Sequence, residues 1–379
     1  MSLGLYVHIP FCPGKCPYCD FFSVAYDSRT SYSYADAVIR NAEHYRERFD
    51  TVYFGGGTPS AAWWDVCRIM GRLRFTDDAE ITVEANPNTL TRESLSSLKN
   101  SGVNRLSVGV QSFSNAELRV LGRTHTSEDA SNSIKLALEC GFNNVSVDLM
   151  LGIPGQTPDS ARRSVKVAAM LGVHHVSAYM LKIEERTPFA GMAHKLPDEN
   201  TTAQIYLACG EELEKRGFTQ YEISNFRRAA GDSTPAAGPA SYECRHNLKY
   251  WTSREYLGIG TAAHSFYDGE GSGCPQRFFV MNDIREFIKQ RVQTVIITER
   301  EEVNFESYAM LKLRLSEGLT FAECERFGLR REAMMKRCRL VPPDYLQITD
   351  KGIAITREGF LVSNQIIRKL ITEPVVQVI

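Results

Sequence analysis

Long hydrophobic runs are missing from this sequence. No stretch approaches the roughly 18–20 consecutive apolar residues that a membrane-spanning helix needs. The start of the chain lacks the basic, apolar and small-residue layout of a secretory signal, so the expected location is the cytoplasm. Charge of one sign is also missing. Lys plus Arg number 44 and Asp plus Glu 45, a net charge of −1. Without a basic field, nucleic acid is not expected as a partner. Internal repeats and long low-complexity tracts are absent too. What remains is a globular composition, 43% hydrophobic and 23% charged, in a chain of 379 residues. That length exceeds one ordinary domain. Cysteine is not scarce: there are ten, three of them within the eight residues Cys12–Cys19. In a reducing compartment such a cluster reads as metal or redox chemistry, not as disulfides.

The first two hundred residues alternate β-rich runs with helical segments. LYVHI (Leu5–Ile9), TVYFGGG from Thr51, EITVEAN from Glu80, RLSVGVQS from Arg105, NVSVDLML from Asn144 and HVSAYML from His175 read as six strands. Amphipathic stretches such as SYSYADAVIRNAEHYRERF and THTSEDASNSIKLALECG lie between them. Six βα units predict an α/β fold with a parallel sheet, an open or partial (β/α)6 TIM-like barrel. In such folds the strand ends carry function. We expect three regions: a barrel over 1–200, a connecting region over 201–300 that holds HNLKYW, and a smaller α+β winged-helix-like domain over 301–379. In the last, FESYAMLKLRLSEGL reads as an amphipathic helix. YLQITDKGIAITREG reads as a hairpin turning at Asp350–Gly352, followed by a final helix.

CPGKCPYCDF, Cys12–Phe21, spaces its thiols three and then two residues apart. A closed structural zinc site wants four ligands, and an iron–sulfur cubane usually has four cysteines. Three thiolates would leave one corner of a cubane open to a small molecule. A zinc loop completed by His8 or a distant residue, and a redox CxxC, remain alternatives.

CxxxCxxC after a first strand, in a partial barrel, resembles the radical S-adenosylmethionine (SAM) superfamily. The resemblance implies a [4Fe-4S] cluster on Cys12, Cys16 and Cys19. Its open iron is chelated by the methionine part of SAM, and one electron cleaves SAM to a 5′-deoxyadenosyl radical. Tyr18 fits the usual aromatic before the third cysteine. The resemblance also assigns SAM contacts: the GGGTP loop (Gly56, Gly57, Thr58), Glu84 ending the third strand, Gln111 ending the fourth, Arg123 in LGRTH and Asp148 in the fifth. Four polar groups around one barrel mouth suit a zwitterionic nucleoside.

HIPFC…CPYCDF, GGGTP, VGVQSF, DLMLGIPGQT and ISNF…RHNLKYW…YLGIGTAAHS resemble the coproporphyrinogen-oxidase-like branch over nearly the whole chain. One subgroup decarboxylates coproporphyrinogen III in haem synthesis without oxygen. The other chaperones haem, binding it and handing it to client haem proteins, some of them membrane-associated. Three features favour the chaperone. Phe21 stands where the oxidase typically has a fourth cysteine, only eleven residues precede Cys12, and His246–Trp251 matches the chaperone's HNxxYW. The resemblance makes His246 a candidate haem ligand, with Tyr250 and Trp251 as flat apolar surface, and leaves a homodimer open. The expected function is haem chaperoning with haem, cluster and SAM bound. Coproporphyrinogen decarboxylation is the alternative, and a cluster-free tetrapyrrole scaffold a third. Departures from the subgroup are the inserted loop Ala229–Ser241 and Cys244, where serine is more usual. Cys274-Pro275 is too short a motif to assign. Cys67, Cys140, Cys209, Cys324 and Cys338 read as packing residues.

Overall fold

The computed structural model describes residues 3–229, 241–269, 271, 274–300 and 303–372. All six expected strands are present: β1 (Leu3–Ile9), β2 (Phe49–Gly56), β3 (Phe75–Ala85), β4 (Arg105–Gln111), β5 (Val145–Leu151) and β6 (His175–Met180). Each pairs in parallel with the next. Their alternation sorts side chains by face. Leu5, Val7 and Ile9 of β1 are buried apolar residues, as are Val52 and Phe54 of β2, and Ile81 and Val83 of β3. The intervening positions are largely polar: Tyr6 and His8, Thr51 and Tyr53, Glu80, Thr82 and Glu84. The second set lines the polar barrel interior described below.

The helices start where the chemistry says they should. Thr91, Thr126 and Thr157 each form a capping box at the helices Arg92–Asn100, Ser127–Glu139 and Pro158–Met170. Such a cap satisfies orphan backbone N–H groups and contributes about 1 kcal/mol. These helices follow β3, β4 and β5 and provide the crossovers of the parallel sheet.

The sheet does not stop at residue 200. Among the described residues it has twelve strands. Asn225–Arg228 pairs antiparallel to β6, and Phe218–Gln220 lies beyond it. On the other side Tyr256–Ile259 runs parallel to β1, and three antiparallel strands follow: His264–Tyr267, Gln276–Val280 and Val295–Arg300. The region expected as a connection therefore supplies six strands. The inserted loop lies outside the described residues, apart from its ends, Ala229 and Ser241.

The C-terminal segment pairs Leu319–Thr320, Gly352–Ile355 and Leu346–Ile348 in a three-stranded antiparallel sheet. The expected hairpin is there, closed by Thr349 N donating to Gly352 O at 2.9 Å. The helix expected over FESYAMLKLRLSEGL is shorter, Phe305–Lys312. The chain leaves it at the C-cap Leu313, and Leu315 then forms a bridge with Glu222. No helix among the described residues is long and apolar enough to cross a membrane.

Candidate functional site

At the C-terminal ends of the barrel strands lies a cavity of about 610 Å³. Cys12, Cys16, Cys19, Gly56, Gly57, Thr58, Glu84, Gln111, Arg123 and Asp148 all line it. The fold thus gathers the candidate cluster cysteines and every candidate SAM residue at one place.

The cysteine loop is held by backbone. Cys19 N donates to Cys16 O at 3.1 Å, and Tyr26 N to Cys12 O at 2.9 Å. Short strands Phe11–Cys12 and Val24–Ala25 pair in parallel and close the loop. The glycine loop braces it: Gly57 N donates to Ile9 O and Thr58 N to Phe11 O, both at 2.8 Å. A side chain would break this contact. A Cβ on Gly57 would lie 2.8 Å from the backbone of Pro10 and Phe11. Gly56 has φ 115°, and a Cβ there would meet the His8 ring at 2.6 Å. The glycines are therefore required first by the chain's own backbone.

No group of three or more His, Cys, Asp or Glu among the described residues could hold a metal ion. His8 does not complete a zinc set, since its Nδ1 bonds Tyr6 Oη at 3.1 Å and its Nε2 bonds Phe22 O at 3.0 Å. Its ring is buried, and burial lowers its pKa to about 4. Cys12, Cys16 and Cys19 instead line one common cavity. Cys12 Sγ lies 3.4 Å from Thr58 Oγ1. Arg123 donates from Nη1 to Cys16 Sγ at 3.2 Å and from Nη2 to Gly109 O at 2.7 Å. Arg123 Nε is buried without a partner, an open donor beside the cavity. Burial raises the Cys19 thiol pKa.

Two carboxylates form the floor. Tyr53 Oη donates to Glu84 Oε1 at 2.9 Å, and Gly56 N to Glu84 Oε2 at 3.2 Å. Ser107 Oγ donates to Asp148 Oδ1 at 3.1 Å. Burial, then the nearby Asp148 charge, lifts Glu84 to about 7, and burial raises Asp148 as well. An ordered cation or a set of hydroxyl donors would relieve both. Gln111 sits at φ 69°, left-handed backbone unusual for a residue with a side chain and often found at functional sites. A third buried carboxylate braces the surrounding loops. Glu117 accepts from Ser112 Oγ at 2.6 Å, Ser160 Oγ at 2.6 Å and Gln156 Nε2 at 3.1 Å. Gln156 Oε1 in turn accepts from Gly152 N at 2.7 Å. Sequence reading missed Tyr53, Ser107, Met150 and Tyr179, which also line the cavity. Their inward alternation along β2, β4, β5 and β6 was the available signal.

His246, the candidate haem ligand, is placed elsewhere, outside the cavity lining, with both ring nitrogens hydrogen-bonded. The helix Arg245–Trp251 packs across the opposite end of the barrel, at the starts of β2 and β3. His246 is 0% exposed. Nδ1 bonds Thr51 Oγ1 at 2.8 Å and Nε2 bonds Tyr250 Oη at 2.9 Å. Its ring stacks on Tyr53 with centroids 5.3 Å apart. Burial, aided by Lys249 and Arg105, lowers its pKa to about 3. Cys244, beside it, is also buried, and its thiol is pushed to about 12. Cys209, Cys324 and Cys338 are buried and Cys67 and Cys140 partly so, in keeping with packing.

The comparisons with known proteins agree with this picture. The family model "Radical SAM superfamily" matches residues 6–168. The chain is 36% identical over 281 residues to "Heme chaperone HemW" of Escherichia coli (strain K12), covering 70% of this chain and 71% of that one. It is 31% identical over 386 residues to the HemW of Bacillus subtilis (strain 168), covering 95% and 97%. Among solved structures it is similar to the coproporphyrinogen III oxidase HemN of Escherichia coli, described as a radical SAM enzyme. That match has TM-score 0.78 and 21% identity, and covers 98% of this chain and 90% of that one, a likeness of fold. With its cysteine loop, glycine loop and strand-end residues in one cavity, the chain belongs to the HemW family of the radical SAM superfamily.

Proposed function

We propose that this protein is a cytoplasmic haem chaperone that binds haem and delivers it to client haem proteins, some of them at membranes. The observation that carries the reading is near full-length similarity to relatives named for haem chaperoning, together with Phe21 after the cysteine motif. Phe21 is 71% exposed and offers no ligand where a fourth thiol would stand.

Cys12, Cys16 and Cys19 would hold a [4Fe-4S] cluster, and Gly56, Gly57, Thr58, Glu84, Gln111, Arg123 and Asp148 would hold SAM. When bound, the cluster supplies one-electron chemistry to the cavity. The chain's own part is to position these groups. The glycine loop fixes the cysteine loop, Arg123 sets positive charge against Cys16, and Glu84 and Asp148 present buried acceptors to a cationic nucleoside. Haem ligation by His246 would require the helix Arg245–Trp251 to leave the barrel end and break both ring hydrogen bonds.

The test is an anaerobic haem titration of the cluster-reconstituted protein and of the Cys12→Ala/Cys16→Ala/Cys19→Ala variant. Parallel samples receive coproporphyrinogen III, SAM and a reductant. We expect stoichiometric haem binding, no vinyl product, and complete loss of cluster iron and sulfide in the triple variant. Protoporphyrinogen formation without specific haem binding would assign the chain to decarboxylation. Haem delivery unaffected by loss of the cluster would favour a simple scaffold.

A further inference from the structure

We propose that Arg123 serves the cluster before it serves the nucleoside: its guanidinium donates to the Cys16 sulfur, and with a cluster bound this bond raises the cluster's reduction potential. The inference rests on the [4Fe-4S] reading of Cys12, Cys16 and Cys19. It gives a second role to a residue otherwise expected only to contact SAM.

The mount of Arg123 is set by backbone. The helix Asn115–Val120 ends at the C-cap Leu121, and Gly122 follows at φ 68°. Gly122 N donates to Arg119 O at 3.1 Å and Arg123 N to Leu118 O at 2.9 Å. These are the two reverse bonds of a Schellman motif, with Arg123 as the second residue beyond the cap. The same glycine meets the cysteine loop. A Cβ on Gly122 would lie 2.8 Å from Cδ of Pro17, the residue between Cys16 and Tyr18. Phe189 N donates to Pro17 O at 3.1 Å, and Tyr18 packs against Leu121, Ile153 and Phe189. Helix end and cysteine loop are therefore held in one fixed relation, and Arg123 stands at their junction.

The guanidinium has little freedom left. Nη2 donates to Gly109 O at 2.7 Å and Nη1 to Cys16 Sγ at 3.2 Å. The carbonyl fixes the fork, so Nη1 is aimed at the sulfur without help from any nucleoside. Nε, buried without a partner, is what remains for a ligand. At Cys12 the neighbouring side-chain group is a neutral hydroxyl, Thr58 Oγ1, 3.4 Å from Sγ. The bond to Cys16 differs in carrying charge. Reduction adds one electron to the cluster and its thiolates. A donated N–H and a positive charge both favour that more negative state, so both raise the potential.

The test is a redox titration followed by electron paramagnetic resonance on the full chain with reconstituted cluster. Dithionite is the reductant, and SAM is left out. We expect Arg123→Met to keep the wild type's iron and sulfide and to lower the midpoint potential by about 59 mV, a tenfold change in a one-electron equilibrium. Should Arg123→Met fail to take up the cluster, Arg123→Lys is read in its place. It keeps the charge, gives up the fork, and should shift the potential the same way by less. An unmoved midpoint in the variant that holds the cluster would overturn the proposal. Loss of SAM affinity alongside it, measured by calorimetry, would leave Arg123 to the nucleoside alone. A wild type that takes up no iron and sulfide would instead overturn the cluster reading, and the proposal with it.

Discussion

At the C-terminal ends of the barrel strands, Glu84, Asp148 and Arg123 keep hydrogen-bonding capacity turned toward a cavity. At the N-terminal ends, His246 has both ring nitrogens satisfied and no solvent exposure. Both regions are polar and both are built from the same strands. Tyr53 touches both, donating to Glu84 on one side and stacking on His246 on the other. The difference shows that polarity inside a barrel does not by itself mark a ligand site. What marks it is capacity left unspent: a buried donor without a partner, carboxylates raised by burial, and backbone in an uncommon conformation.

The sharpest way to break this comparison is at the closed end. His246→Ala should remove two buried hydrogen bonds and a stacked ring, and leave Thr51 and Tyr250 without that partner. We expect a loss of roughly 2–4 kcal/mol of stability, read as a fall in denaturant midpoint, with SAM affinity little changed. A variant of normal stability that binds haem poorly would instead mean that the barrel end opens and His246 is functional. A smaller effect is expected at the open end. The folded-state pKa of Glu84, about 7, lies above its unfolded value. Protonated Glu84 is favoured in the fold, so its contribution to stability is present at low pH and is lost as pH rises through 7. Cationic SAM prefers the ionised form, so its affinity should rise over the same window. Glu84→Gln should flatten that pH dependence, as measured by calorimetry, and stabilise the ligand-free protein above pH 7. An unchanged pH profile would show that Glu84 does not face SAM. The smallest effect is expected at Gln111. Gln111→Gly should relieve the left-handed backbone by about 1 kcal/mol or less while weakening SAM binding, if the side chain serves the ligand. A melting-temperature gain with unaltered SAM affinity would leave Gln111 a turn residue.

The barrel was legible because its strands are β-branched runs that end in glycine or polar residues. Cavity-lining residues such as Glu84, Gln111 and Arg123 were legible as polar residues at or beyond strand ends, which a parallel barrel must bring together. Gly56 and Gly57 were legible as special, but for a different reason: the crowding comes from His8 and the backbone of Pro10 and Phe11. The burial of His246 was not legible because a seven-residue helix does not show in sequence which side meets the barrel, and a His between polar and aromatic neighbours suits either a ligand or a plug. Four of the six further strands, those of three or four residues, were hidden by their shortness. FTQ and YLGI depend on pairing partners far away in the chain, not on a periodic pattern of their own. The helix after Phe305 was read too long because its apolar spacing continues through Leu315, whose backbone is taken by Glu222 instead.

Glu117 gathers Ser112, Gln156 and Ser160 onto one carboxylate. These three residues come from the turn after β4, the turn after β5 and the first turn of the next helix. Opening any one of the three segments alone takes a hydrogen bond from a buried carboxyl group that the other two still hold. The amide hydrogens of these loops are therefore expected to exchange together and not segment by segment, so that the turns after two neighbouring strands loosen as a single unit.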